Sequence, residues 1–375
     1  MSDTVRRIDA LTGVRAVAAS WVLLLHTMRL VQALWPSSSI LGPFAQRGYL
    51  GVDLFFVLSG YILYVTYRGA TLSQGRDGIG RFLWLRLARI YPVHLAVTLV
   101  VVFGVGLATL VGRRFGDPAV YVLWRLPEHV LLVQAWTSAP GPTWNGPSWS
   151  VSAEWAGYLL FPWIAAAVTR LRTTRGALGL VALSFGGSWI LLESANVSSL
   201  DLTTRGGLAR FMVEFVIGIL LARAVELRPL SLRITRHLPE VLVIVMAIAL
   251  AAGAPDIVLA GLLAVAVPSL ATSQGWIARA LSSPALVALG QRSYALYMTH
   301  GLVLHLLEAL AGGARLSSSM PIEERVLMTF TAAVALAVTT ELTYRWIEEP
   351  SRAWMRRLSF RSLPPAVAVE RASAK

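Results

Sequence analysis

Long apolar runs recur along the chain, separated by short stretches rich in Arg, Gly, Pro and Ser. A membrane-crossing helix needs about 20 mostly apolar residues. Ten segments fit that pattern: 15–34, 48–67, 91–111, 149–168, 177–196, 207–225, 238–254, 256–272, 287–310 and 326–346. The seventh and eighth are short and joined through Gly253, Ala254, Pro255 and Asp256, which predicts a tight hairpin. Residues 119–137 are apolar but interrupted by Arg125, Pro127, Glu128 and His129. They read as an interfacial helix, with an eleventh span as the alternative. The expectation is an all-α, polytopic integral membrane protein of about ten transmembrane helices. One membrane domain covers 1–352, and a cytoplasmic, disordered tail covers 353–375. Neither an internal repeat nor a soluble domain is recognisable.

Composition supports that class. Of 375 residues, 56% are hydrophobic and only 14% charged, and the mean hydropathy is +0.63; soluble domains carry roughly a quarter charged residues. The net charge of +13 raises the question of nucleic acid, but the basic residues follow the loops. With the N-terminus inside, 22 fall in cytoplasmic segments, 8 in outer segments and 3 (Arg15, Arg29, Arg292) in or at spans. Arginine and lysine favour cytoplasmic loops, so both termini are placed in the cytoplasm and no nucleic-acid partner is needed. The first span reads as retained, because His26 and Arg29 interrupt it and no small-x-small cleavage site follows. The chain has no cysteine, which excludes a thiol nucleophile and a thiolate metal site.

Ionisable residues inside membrane helices are costly and mark function by default. Arg15 stands at the cytoplasmic end of the first span and His26 eleven residues on. At helical pitch that is ~16 Å deeper and only about 20° from the same azimuth, so both side chains face one cleft. Glu154 enters the fourth span from outside, about 7 Å below its outer face. It therefore falls near the depth of His26 and is a candidate partner for it, since a buried carboxylate needs a partner and a basic imidazole needs its other nitrogen held. Asp53 lies near the outer end of the second span, above Ser59 and Gly60, which permit close helix packing. It has a bracing role as its alternative. Arg86 and Arg89 stand at i, i+3 on one helical face at the inner side, a spacing suited to a phosphate clamp; read alone, they serve equally as topology anchors. His94, His129, His237 and His305 carry no pattern. No HExxH, P-loop or GxGxxG occurs, so metal and nucleotide-fold sites have no support.

Together, the arginine and histidine of the first span, "GVDLFFVLSGY" (51–61), "RLARIYP" (86–92), "PSWSVSAEW" (147–155), "SYALYMTH" (293–300) and "YRWIEEPSR" (344–352) resemble the membrane-bound acyltransferase-3 family. That resemblance runs from Arg15 to Arg352. It implies a bacterial protein of the cytoplasmic membrane that O-acylates sugars, glycans or macrolides, here in a stand-alone form without a fused SGNH domain. It makes His26 the essential histidine, Arg15 its companion, Arg86 and Arg89 the donor-associated Arg-x-x-Arg, and Glu154 the acid after Trp149 and Ser150. Tyr297, His300 and Glu348 fall in its two C-terminal motifs.

On this reading acyl-CoA is the donor, acetyl-CoA in the first instance, and no cofactor or metal is bound. A glycan or sugar hydroxyl is the acceptor, with a small secondary metabolite such as a macrolide as the alternative. His26 is the general base, with Glu154 orienting it. Asp53, Trp149, Ser150, Tyr297 and His300 are expected to contact substrate. Direct attack is preferred over an acyl-enzyme at Ser150 or Ser152. The oxyanion donor stays open among Arg15, Tyr49, Ser59 and Asn145. A proton-coupled transporter is the rival class, disfavoured because a carrier has no need of a phosphate clamp.

Overall fold

The computed structural model describes residues 3–112, 117–137, 141–229, 235–310 and 317–358; for residues 3–8, Pro118 and 308–310 only the backbone is described. Arg113, Arg114, Arg233 and Arg315 of the basic-residue count, and residues 359–375 of the expected tail, lie outside the described residues.

Ten long helices account for the ten apolar segments: α1 (Asp3–Leu34), α2 (Leu50–Ser73), α3 (Gly75–Leu110), α4 (Trp149–Thr169), α5 (Thr174–Ser194), α6 (Gly207–Leu227), α7 (Leu238–Ala251), α8 (Asp256–Thr272), α9 (Pro284–Leu310) and α10 (Ile322–Thr343). Among the described residues six stretches are long and apolar enough to cross a membrane, containing α1, α2, α3, α4, α5 and α10, and α7 and α8 are shorter apolar helices. The other two, α6 and α9, carry polar residues that build the interior, among them Arg210 and Glu214 on α6 and Ser293, Thr299 and His300 on α9. The chain is thus an all-α polytopic membrane protein. A π-helical turn (Tyr344–Glu348) after α10 leads into α11 (Glu349–Leu358), past the boundary placed at 352.

Helices α1 to α4, α6 and α9 surround the interior, and two close approaches fix their register. A Cβ on Gly60 of α2 would lie 2.0 Å from Phe215 O of α6, and one on Gly218 would lie 2.2 Å from Val57 O. Only glycine permits that contact, so the two backbones meet directly. Gly290 of α9 meets Thr12 of α1 in the same way, with a Cβ 1.9 Å from Thr12 O. Between these crossings Phe82, Phe161, Phe211 and Phe215 fill the bundle with stacked and edge-on ring contacts.

Residues 119–137 differ from expectation. They form isolated helical turns at 118–120 and 123–125 and one short helix, Leu126–Val130, followed by turns with Leu132 at φ 57°. Pro127 starts the short helix and the left-handed Leu132 stops it from continuing. The segment clasps the start of α4: Ala135 N–H donates to Ser152 Oγ at 3.1 Å, Trp136 Nε1 to Ser152 O at 2.9 Å, and Ser152 Oγ to Leu132 O at 2.8 Å. It is neither one interfacial helix nor an eleventh span.

Candidate active site

A cavity of about 140 Å³ lies among α1, α2, α3, α4 and α9, and polar side chains from each of them face it: Arg15, Ser59, Arg86, Arg89, Ser150, Glu154, Tyr158, Tyr294 and Tyr297. Six of the ten residues expected in the site are therefore together: Arg15, Arg86, Arg89, Ser150, Glu154 and Tyr297. The other four, His26, Asp53, Trp149 and His300, do not line it.

One end of the cavity is cationic. Arg86 donates to Tyr67 OH and lies 4.5 Å over that ring. Arg89 pairs with Glu348 of the π-helical turn, which is only 1% exposed, and sits 5.7 Å over Tyr294. Arg15 makes no hydrogen bond or ion pair among the described residues; its electrostatic neighbours include Arg89, Glu348 and Glu154. A guanidinium that faces an internal cavity beside Arg86 and Arg89, with no hydrogen bond of its own, is suited to an anionic ligand.

At the other end, Ser150 Oγ donates to Pro147 O at 3.1 Å and stands 2.8 Å from Tyr297 OH. The serine proton is committed to the carbonyl, so the tyrosine hydroxyl donates to the serine. One turn beyond Tyr297 on α9 is His300, 1% exposed, with its ring centroid 4.8 Å from that of His26 and tilted 56°. Both imidazoles are held alike. His26 Nδ1 is 2.8 Å from Val22 O and His300 Nδ1 is 2.7 Å from Tyr297 O. A carbonyl only accepts, so each Nδ1 carries a proton, and the neutral form of each ring has its lone pair at Nε2. His300 Nε2 is buried without a partner, whereas the His26 side chain is exposed.

Glu154 is not the partner of His26. Its Oε1 accepts from Ser59 Oγ at 2.9 Å and from Tyr158 OH at 2.6 Å, which turns the carboxylate into the cavity toward Arg15. The α4 helix places Glu154 a turn nearer the arginines than Ser150. Asp53 stands in its alternative, bracing position: it faces Arg210 of α6, with Nε to Oδ1 at 2.9 Å and a second contact from Nη2 to Oδ2, both side chains 1% exposed. Arg210 further donates to Tyr49 O and Leu202 O. It belongs to a buried brace between α2 and α6. Trp149 packs edge-on against Phe56 at 5.9 Å and over Gly207, where it seats α4.

Sequence reasoning passed over Tyr158 and Tyr294, which carry no charge to flag them, and the Arg210–Glu214 pair. The latter had a signal: two ionisable residues four apart inside the sixth apolar segment. Among the described residues no three His, Asp or Glu side chains converge as a metal site.

A family model described as an acyltransferase domain matches residues 8–342. Acyltransferase MdmB of Streptomyces mycarofaciens is 29% identical over 348 residues, covering 84% of this chain and 83% of that protein. Protein 2 in the picA locus of Rhizobium radiobacter is 30% identical over 161 residues, 40% of this chain and 75% of that one. A candidate O-acetyltransferase of Staphylococcus aureus (strain COL) is 22% identical over 381 residues; the match takes in 92% of this chain but 58% of the staphylococcal protein. No solved structure matches. With nearly its whole helical bundle covered by that family model, the chain belongs to the acyltransferase-3 family and is a membrane-embedded acyltransferase.

Proposed function

We propose that this acyltransferase moves an acyl group, acetyl in the first instance, from acyl-CoA to a hydroxyl of a sugar or glycan acceptor in the bacterial cytoplasmic membrane. The observation that carries the reading is the polarity of the cavity. Cations gather at one end, and the other end closes at Ser150 and Tyr297, just short of the His26–His300 pair. At about 140 Å³ it is smaller than the 300–1,000 Å³ that holds a drug-sized ligand. It suits the narrow pantetheine arm, with the nucleotide left at the arginine end. The arm's amides meet Glu154, Tyr158 and Ser150, and the thioester arrives at the histidines.

His26 Nε2 then removes the proton of the acceptor hydroxyl as its oxygen bonds to the thioester carbonyl. The tetrahedral intermediate collapses by breaking the C–S bond, and the imidazolium returns the proton to the coenzyme A thiolate. Val22 O, which accepts the Nδ1–H of His26, takes the orienting part that sequence reasoning gave to Glu154. Exposure of His26 supports access for the acceptor from the side away from the arginines.

The test is turnover of radiolabelled acetyl-CoA by purified protein with a panel of oligosaccharides and small polyols, read as labelled product. Acceptor-dependent label that disappears in His26→Ala supports the reading. Undiminished label transfer by a folded His26→Ala variant rejects it, and label on a secondary metabolite but on no glycan moves the acceptor class.

A further inference from the structure

The donor's nucleotide carries a pyrophosphate and a ribose phosphate, and two arginines of one helix are a thin complement for both. Arg89 is already compensated by Glu348. The same ion pair does something else: it ties the π-helical turn to α3 and so fixes where α11 begins. Trp84 Nε1 donates to Met355 O at 2.7 Å, holding α11 along α3 just before the arginine motif. Within Glu349–Leu358, Met355 is buried and Ser351, Arg352 and Arg356 are half-buried, while Ala353, Trp354, Arg357 and Leu358 are exposed. Glu348, Arg352 and Met355 thus form an i, i+4, i+7 stripe turned toward α3. Arg352 has no hydrogen bond or ion pair among the described residues, and its electrostatic neighbours are Arg89, Arg86, Arg356 and Glu348. Four guanidinium groups around a single carboxylate leave a net positive charge that an anionic ligand would neutralise.

We propose that Arg352 is a further phosphate-binding residue of the donor site, taking the nucleotide phosphates of acyl-CoA where α11 lies along α3 beside Arg86 and Arg89. The proposal rests on the acyl-CoA reading above. It assigns α11, which follows the residues 8–342 covered by the family match, to donor recognition. Arg89 becomes the residue that docks α11, and Arg15, Arg86 and Arg352 are the guanidinium groups that meet phosphate.

Calorimetric titration of the purified full-length protein with acetyl-CoA, and with S-acetylpantetheine, which lacks every nucleotide phosphate, tests it. Loss of a charge-assisted phosphate contact predicts that Arg352→Gln weakens acetyl-CoA binding about ten- to a hundred-fold and leaves S-acetylpantetheine unchanged. Arg352→Lys falls between, since it keeps the charge without the planar fork, and Arg357→Gln, on the exposed face, binds as wild type. Acetyl-CoA affinity of Arg352→Gln within two-fold of wild type overturns the proposal while leaving the donor assignment intact. An equal loss for both ligands overturns it too, marking a structural role. Should Arg352→Gln not fold, wild-type affinity in Arg352→Lys overturns it. Wild-type protein that binds no acetyl-CoA removes the donor assignment itself and the proposal with it.

Discussion

His26 donates Nδ1–H to Val22 O, and that bond leaves Nε2 as the basic nitrogen without any carboxylate partner. Replacing His26 with Ala should lower turnover by about 10²–10⁴, the usual weight of a general base, with the thermal melt of the solubilised protein unmoved. Glu154→Gln separates the two possible placements of the acid. Since Glu154 holds Ser59 and Tyr158, the substitution should raise the KM for acetyl-CoA and leave the pH profile of kcat where it was. A displaced pH profile would restore Glu154 as the residue that supports His26. Asp53 is braced by Arg210 with both side chains 1% exposed. Removing one partner of a buried pair costs about 3–5 kcal/mol, so Asp53→Ala should fail at folding and show a collapsed melt, not a selective loss of donor or acceptor binding. Helix pitch made Arg15, Glu154, Arg86 and Arg89 readable as site residues, because depth along a span follows from counting residues. It did not reveal that Glu154 turns toward Arg15 instead of His26. Depth says nothing of which neighbour a side chain meets around the helix axis, and the partners it chose, Ser59 and Tyr158, are uncharged.

The α2–α6 crossing sets the width of the site at the level of elements. Gly60 and Gly218 each oppose a backbone carbonyl at a distance no Cβ tolerates, and overpacking a close contact costs about 1–3 kcal/mol or more. Gly60→Ala or Gly218→Ala should therefore lower the melting temperature and, by prising α2 from α6, disturb Ser59 and its bond to Glu154. A melt equal to wild type would show that the crossing yields. The close approach at Gly60 was visible in the sequence as a small-residue step below Asp53. Its partner helix was not, since any apolar helix offers a similar face to lipid and to protein. The clasp at 126–137 was missed for a related reason. Its apolar residues suggested membrane contact, whereas Leu132 and Ala135 are buried against α4, and the backbone turns needed to put them there leave no periodic pattern.

For the molecule as a whole, the ten apolar segments became ten long helices, since hydropathy is the dominant constraint on a membrane chain. The helix ends moved more. α3 begins at Gly75, well before the expected 91, so the Arg-x-x-Arg pair sits inside a continuous helix that passes through Pro92. Arginine asymmetry orients that helix with Arg86 and Arg89 inward and His26 toward the outer face. On the proposed function, donor and acceptor approach from opposite sides and meet at the histidines, so neither crosses the bilayer whole. Sidedness tests this most directly. Protein reconstituted in vesicles of one known orientation receives radiolabelled acetyl-CoA only at the arginine face, and a non-permeant acceptor that supported turnover in detergent is added to one face at a time. Labelled product should form when the acceptor is supplied at the His26 face alone. Product formed only when the acceptor shares the arginine face with acetyl-CoA would contradict the account.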